Sequence, residues 1–278
     1  MEIGLYLRNI DTINEIPEDI MHKADSITCG DHGCTYVLPT VDELLALKHS
    51  LLNQNKGLHY ISPKLSQSHL DDELNRVVTL LREGLSISIN DWGLLYKLKD
   101  YIKPEYDICI GRLLSKSIAD WAWGALLLGG EKDRGKQYLM QNSFNHKLKI
   151  DYFKNLGIKG IDVSAHPDSE ASYIGISNKG LYVTGFADST YLAVSRACPV
   201  IHIENLGRCS DRCREFCTRE EYHLIPVKAD QQRMYPKMQL IGNTVYKPID
   251  VKPRQDAYRR ILYTWNSLNA DKIKNIFN

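Results

Sequence analysis

The chain has 278 residues, of which 43% are apolar, with 35 Lys plus Arg against 34 Asp plus Glu. That apolar share fills a large core and excludes a disordered chain. The near-zero net charge argues against a nucleic-acid partner gripped over a broad basic face. The stretch MEIGLYLRNIDTINEIPED has no basic n-region and no long apolar core, so the expectation is a soluble, cytoplasmic protein with no membrane span.

Short apolar runs alternate with helical patterns along the chain. Ile3 to Leu7 reads as a first strand, and Asp25 to Thr28 as a second that ends in the turn Cys29-Gly-Asp-His-Gly-Cys34. Pro39-Thr40 opens a helix with Thr40 as N-cap and Glu43 three residues on, the spacing of a capping box. Strands are predicted at Leu58–Ser62, Leu85–Ile89, Tyr106–Leu113 and Gly160–Val163. Helices are predicted at Asp71–Glu83, Asp91–Leu98 and Asn145–Leu156. Tyr173–Ile176 and Gly180–Thr184, split by Ser-Asn-Lys, read as a hairpin or loop rather than a helix. Met238–Ile241 and Val245–Ile249 read as a hairpin around Gly-Asn.

Strands separated by helices favour parallel βαβ units. The strand count approaches eight, and a (β/α)8 barrel takes about 250 residues. The predicted fold is therefore α/β: one TIM-barrel-like domain over 1–278, irregular or incomplete at its C-terminal strands. It carries a cysteine-rich loop at about 197–222 and a C-terminal helix at about 254–268. The segment Gly30-Asp-His-Gly33 does not fit the GxGxxG turn of a dinucleotide-binding sheet.

Four of the seven cysteines, Cys198, Cys209, Cys213 and Cys217, fall within 20 residues at C-x10-C-x3-C-x3-C spacing. Thiolates are soft ligands for zinc or iron–sulfur clusters. Structural zinc usually draws on paired CxxC knuckles, none of which exists here, so the asymmetric spacing points to an iron–sulfur cluster. Cys109 reads as a small buried hydrophobe, and Cys29, at the end of the second strand, as structural.

Arg112 ends the fifth strand, where its planar fork suits a carboxylate clamp. Asp91 starts a helix at a strand end, and His166 follows the sixth strand. A barrel collects such strand ends on one face, so Cys34, Asp91, Arg112 and His166 are expected to border one cavity. No HExxH, GxSxG or Walker pattern occurs.

The Gly30-Asp-His-Gly-Cys34 turn, the Ser88-Ile-Asn-Asp-Trp-Gly93 segment, and Ser195-Arg-Ala-Cys198 followed by Cys209-x3-Cys213 together resemble the collagenase-like peptidase family U-32. Within it, they are similar to short members of oxygen-independent ubiquinone hydroxylation. The resemblance implies a [4Fe-4S] cluster on Cys34, Cys198, Cys209 and Cys213, with Cys217 an alternative to Cys213. It implies hydroxylation of an aromatic or related small molecule without O2, with prephenate as an oxygen-donating co-substrate. It also implies pairing with a related U-32 family protein or with a second copy. A non-catalytic partner subunit and a peptidase are the alternatives.

Overall fold

The computed structural model describes residues 1–117, 120, 135, 138–195, 198–204, 222–224, 238–249, 252–265 and 270–277. Seven parallel strands follow one another around a barrel: β1 (Glu2–Leu7), β2 (Ser26–Gly30), β3 (Gly57–Ser62), β4 (Ser86–Ile89), β5 (Ile108–Ile110), β6 (Gly160–Ser164) and β7 (Tyr182–Phe186). The chain then leaves the barrel for an antiparallel sheet of β8 (Ser189–Val194), β9 (Tyr222–Leu224), β10 (Met238–Ile241) and β11 (Thr244–Pro248), in the order β8-β11-β10-β9. It returns as β12 (Arg260–Thr264), which pairs in parallel with both β7 and β1 and closes the ring.

Helices cover the outside: α1 (Glu18–Lys23), α2 (Val41–Leu52), α3 (Leu70–Arg82), α4 (Trp92–Leu98), α5 (Lys147–Asn155), α6 (Glu170–Ser177), α7 (Pro199–Glu204) and α8 (Ala270–Phe277). No helix among the described residues is long and apolar enough to cross a membrane. The capping box at α2 forms as read: Thr40 Oγ1 accepts from Glu43 N and Glu43 Oε2 accepts from Thr40 N.

The period-2 alternation of a strand assigns each residue to one of two faces. Leu5, Leu7, Ile27, Leu58, Tyr60, Ile87, Ile89, Ile108, Ile110, Ile161, Val163 and Val183 join one apolar core with the helices. The residues between them point into the lumen. There Tyr6, Ile61, Phe186 and Leu262 form a small separate cluster. Below it the lumen is polar, with Ser26, Thr28, His59, Ser88, Asp162 and Thr184 all buried.

Three expectations need correction. The barrel is complete, because an eighth strand exists where a helix at 254–268 was expected: Arg260-Ile-Leu-Tyr-Thr264 is β12, and the helix α8 comes later. Tyr173–Ile176 belongs to α6, packed on the barrel through buried Tyr173 and Ile176. Within 197–222 the chain forms the short helix α7 directly after Cys198, while 205–221, with Cys209, Cys213 and Cys217, lies outside the described residues.

Candidate functional site at the barrel mouth

The turn after β2 is built around one carboxylate. Asp31 Oδ1 accepts from Gly33 N at 2.7 Å and Cys34 N at 2.6 Å, and Asp31 also pairs with Arg8 at the end of β1. This Asx-type turn fixes the backbone carrying Cys34. Gly30, which leads into it, has φ +119° and lies so close to the Ile61 carbonyl that a side chain has no room there.

The inserted sheet is fastened to that turn. Asn243, at the β10–β11 hairpin, donates from Nδ2 to Gly33 O at 2.5 Å and to Ser195 O at 3.1 Å. Ser195 N in turn donates to Asn243 O at 2.9 Å. A Cβ on Gly33 would sit 2.7 Å from Val194 Cγ1 and 2.8 Å from both Asn243 Oδ1 and Thr244 Oγ1, so glycine lets the two segments touch. The result is that Cys34 and Cys198, far apart in the sequence, line one cavity of about 160 Å³ together with Lys64, His69, Ser195 and Asn243. Cys34 is 6% exposed and Cys198 is half-buried. The residue types suit a soft metal group: two cysteines line one cavity, and two further cysteines of the expected set, Cys209 and Cys213, lie outside the described residues. Cys29 is buried in the apolar core, and burial alone pushes its thiol up to about 12; Cys109 is buried too, but it faces the polar lumen, with its Sγ 2.9 Å from the Tyr182 hydroxyl.

The three other residues read from the sequence do not share that cavity. Asp91 lines a neighbouring cavity of about 410 Å³, which also has Lys64 in its wall. Its carboxylate caps α4, accepting from Gly93 N at 2.8 Å and Leu94 N at 3.1 Å, and it accepts from Leu65 N at 3.3 Å. Arg112, expected as a rim clamp, is buried at 1% exposure and borders neither cavity. Its Nε donates to His32 Nε2 at 2.9 Å, its Nη1 donates to Ser189 O at 3.0 Å, and its guanidinium lies 4.2 Å from the Phe186 ring centre. It therefore ties the β2 turn to the start of β8. Burial, and then the Arg112 charge, hold His32 well below the usual histidine range, so the imidazole is a neutral acceptor. His166 also lies outside both cavities. Its Nδ1 accepts from Asp168 N at 3.3 Å at the head of the 3-10 turn Pro167–Ser169, and burial lowers its pKa.

Sequence reasoning missed Asp31 and Asn243, which position Cys34 and Ser195. Asp31 had a local signal, an Asp two residues before Gly in a turn. Asn243 had none, since its partner is 210 positions away.

A second polar group sits deeper in the lumen. Ser88 Oγ donates to Asp162 and lies 2.7 Å from His59 Nε2. A hydrolytic triad places His between Ser and the acid, whereas here Ser is the middle member. All three are sealed, at 0–1% exposure. This constellation cannot reach a peptide bond.

No family model matches the chain, and no curated protein matches it. Among solved structures the chain is similar to a U32 peptidase, at 11% identity and TM-score 0.47, over 96% of this chain and 94% of that one. It is also similar to a glycoside hydrolase family 18 N-acetylglucosaminidase from Paenibacillus barengoltzii, at 8% identity and TM-score 0.44, over 99% and 98%. Neither likeness carries an activity across to this chain. What the chain's own strand order defines is a closed, eight-stranded α/β barrel of the TIM type, with an inserted sheet fastened beside its mouth.

Proposed function

We propose that this chain is an iron–sulfur enzyme in which Cys34, Cys198, Cys209 and Cys213 hold a [4Fe-4S] cluster beside the barrel mouth, and that it hydroxylates an aromatic or related small molecule without O2. The observation that carries the cluster is the meeting of Cys34 and Cys198 in one cavity, fastened by Asn243. The hydroxylation rests on the motif resemblance to family U-32, which also implies prephenate as the co-substrate that donates the oxygen. A bound cluster would supply redox chemistry; the chain's own residues position it and shape the adjoining cavity. In this proposal Asp91 borders the substrate space, while Arg112 is a positioning residue and His166 has no part in the site. Arg112 acts by holding the cysteine-bearing turn against β8.

The test is purification under nitrogen. The protein is expected to be brown, with a broad shoulder near roughly 400 nm and about four irons per chain. Cys213→Ala is expected to abolish cluster binding and Cys217→Ala to leave most of it; the reverse pattern makes Cys217 the ligand. A colourless protein holding one zinc overturns the reading.

A further inference from the structure

The cavity beside the cysteines has its own chemistry. Lys64 and Lys116 both line it, and neither ammonium makes an ion pair among the described residues. Asp91 is the one carboxylate among its described lining residues, and the bonds that cap α4 take up its oxygens. The lining thus carries two cations whose charge one engaged carboxylate only half offsets. Lys116 Nζ sits 4.3 Å from the centre of the buried Tyr191 ring. Burial lowers the Lys116 pKa, the Asp120 carboxylate partly offsets this, and Lys64 lowers it further, so the two ammonium charges repel each other. An anion placed between them relieves that repulsion. The rest of the wall mixes apolar Leu113, Leu114, Val194 and Trp92, which is 51% exposed and stacked on Phe153, with Asn90, Gly93 and Tyr191. A volume of about 410 Å³ accommodates a ring-sized molecule.

We propose that this cavity binds an organic monoanion, a carboxylate borne on a flat, aromatic-sized ring, with the carboxylate between Lys64 and Lys116 and the ring on the apolar wall toward Trp92. A phosphate monoester fits less well. Asp91 already occupies the first N–H groups of α4, which a phosphate would use, and its charge repels a dianion. The binding claim stands without a cluster; it rests on the proposed function only in making the bound ring the substrate.

Calorimetric titration of the full chain, purified under nitrogen and with its iron counted, uses 2-naphthoate, the uncharged 2-naphthamide and 2-naphthyl phosphate as probes. Naphthoate is expected to bind at least about tenfold tighter than either of the others, as loss of one charge-assisted contact implies. Lys64→Ala and Lys116→Ala are each expected to weaken naphthoate about tenfold. Lys147→Ala, on the exposed surface of α5, is expected to change nothing. Equal binding of the amide, tighter binding of the phosphate, or unchanged affinity in both lysine variants overturns the proposal. Iron-free protein that still binds naphthoate in this pattern sinks the cluster alone; brown protein that does not bind it sinks this inference alone.

Discussion

The outer face of the barrel wall and its lumen are made by the same strands yet obey opposite rules. Outward residues such as Leu5, Ile87, Ile110 and Ile161 are apolar and join the helices in one core. Inward ones include Ser26, Thr28, His59, Ser88, Asp162 and Thr184, where barrels of this type usually stack Val, Ile and Leu. Several of the lumen groups are buried without a hydrogen-bond partner among the described residues: the hydroxyls of Ser26, Thr28 and Thr184, His59 Nδ1 and Asp162 Oδ1. Buried polar atoms in that condition cost stability. The contrast teaches that the outer shell holds the fold together while the lumen draws on that stability.

The largest test of this contrast is a pair of substitutions read by urea unfolding. Ile161→Ala, on the outer face, is expected to cost about 2–5 kcal/mol, as core truncations do. Thr184→Val, in the lumen, is expected to be nearly neutral or stabilising, since it removes a buried hydroxyl with no hydrogen-bond partner among the described residues. Equal losses from the two would break the comparison.

A pH series sharpens it. Burial pushes Asp162 up to about 7 and His59 down to about 3. Between roughly pH 4 and 6.5 the folded chain holds a proton on Asp162 that the unfolded chain has lost, so this group makes stability fall as pH rises. Over the same window the unfolded chain protonates His59 while the folded chain does not, so that group makes stability rise with pH. The two slopes oppose each other. Asp162→Asn is therefore expected to steepen the rise of stability with pH, by roughly 1.4 kcal/mol per pH unit, relative to the parent chain. His59→Gln is expected to tilt the curve the other way. Parallel curves for the parent chain and both variants would show that the lumen does not titrate in this manner.

The smallest expected effect lies at the junction of barrel and insert. Asn243→Ala removes the bonds to Gly33 and Ser195. Amide exchange is expected to quicken at 31–34 and 189–195, with β3 to β6 unchanged. Uniform quickening around the whole barrel would mean that Asn243 supports the global fold rather than the docking of the insert.

Most of the barrel was legible because short apolar runs in α/β chains are strands, and turn residues bound them. The misses have physical causes. Arg260-Ile-Leu-Tyr-Thr264 is a short apolar run whose periodicity does not separate strand from helix; its Ile, Tyr and Thr are strand formers and should have decided it. Tyr173-Ile-Gly-Ile176 alternates like a strand, but packing on the barrel makes it α6. Strand β8 is absent from the sequence reading: Ser189–Val194 pairs antiparallel with β11, a partner far along the chain and invisible in a local window. In the site, cysteine chemistry marked Cys34 and Cys198 directly. Arg112 was found by type and position, but its burial under Tyr246 and Phe186 depends on the insert, which the local pattern does not specify.

The return of the chain to the barrel through β12 has a consequence for synthesis. β1 pairs with β12 along Glu2↔Arg260 to Tyr6↔Thr264, and the side chains of Arg260 and Glu2 lock that seam at 2.6 Å. Until residue 264 has left the ribosome, β1 and β7 each present an open edge, and the insert must be made in between. Such edges recruit other strands, and non-local closure is slow. The nascent chain thus carries both sticky seams from the completion of β7 until β12 is available, and a chain released before β12 is expected to aggregate rather than persist as a seven-stranded barrel.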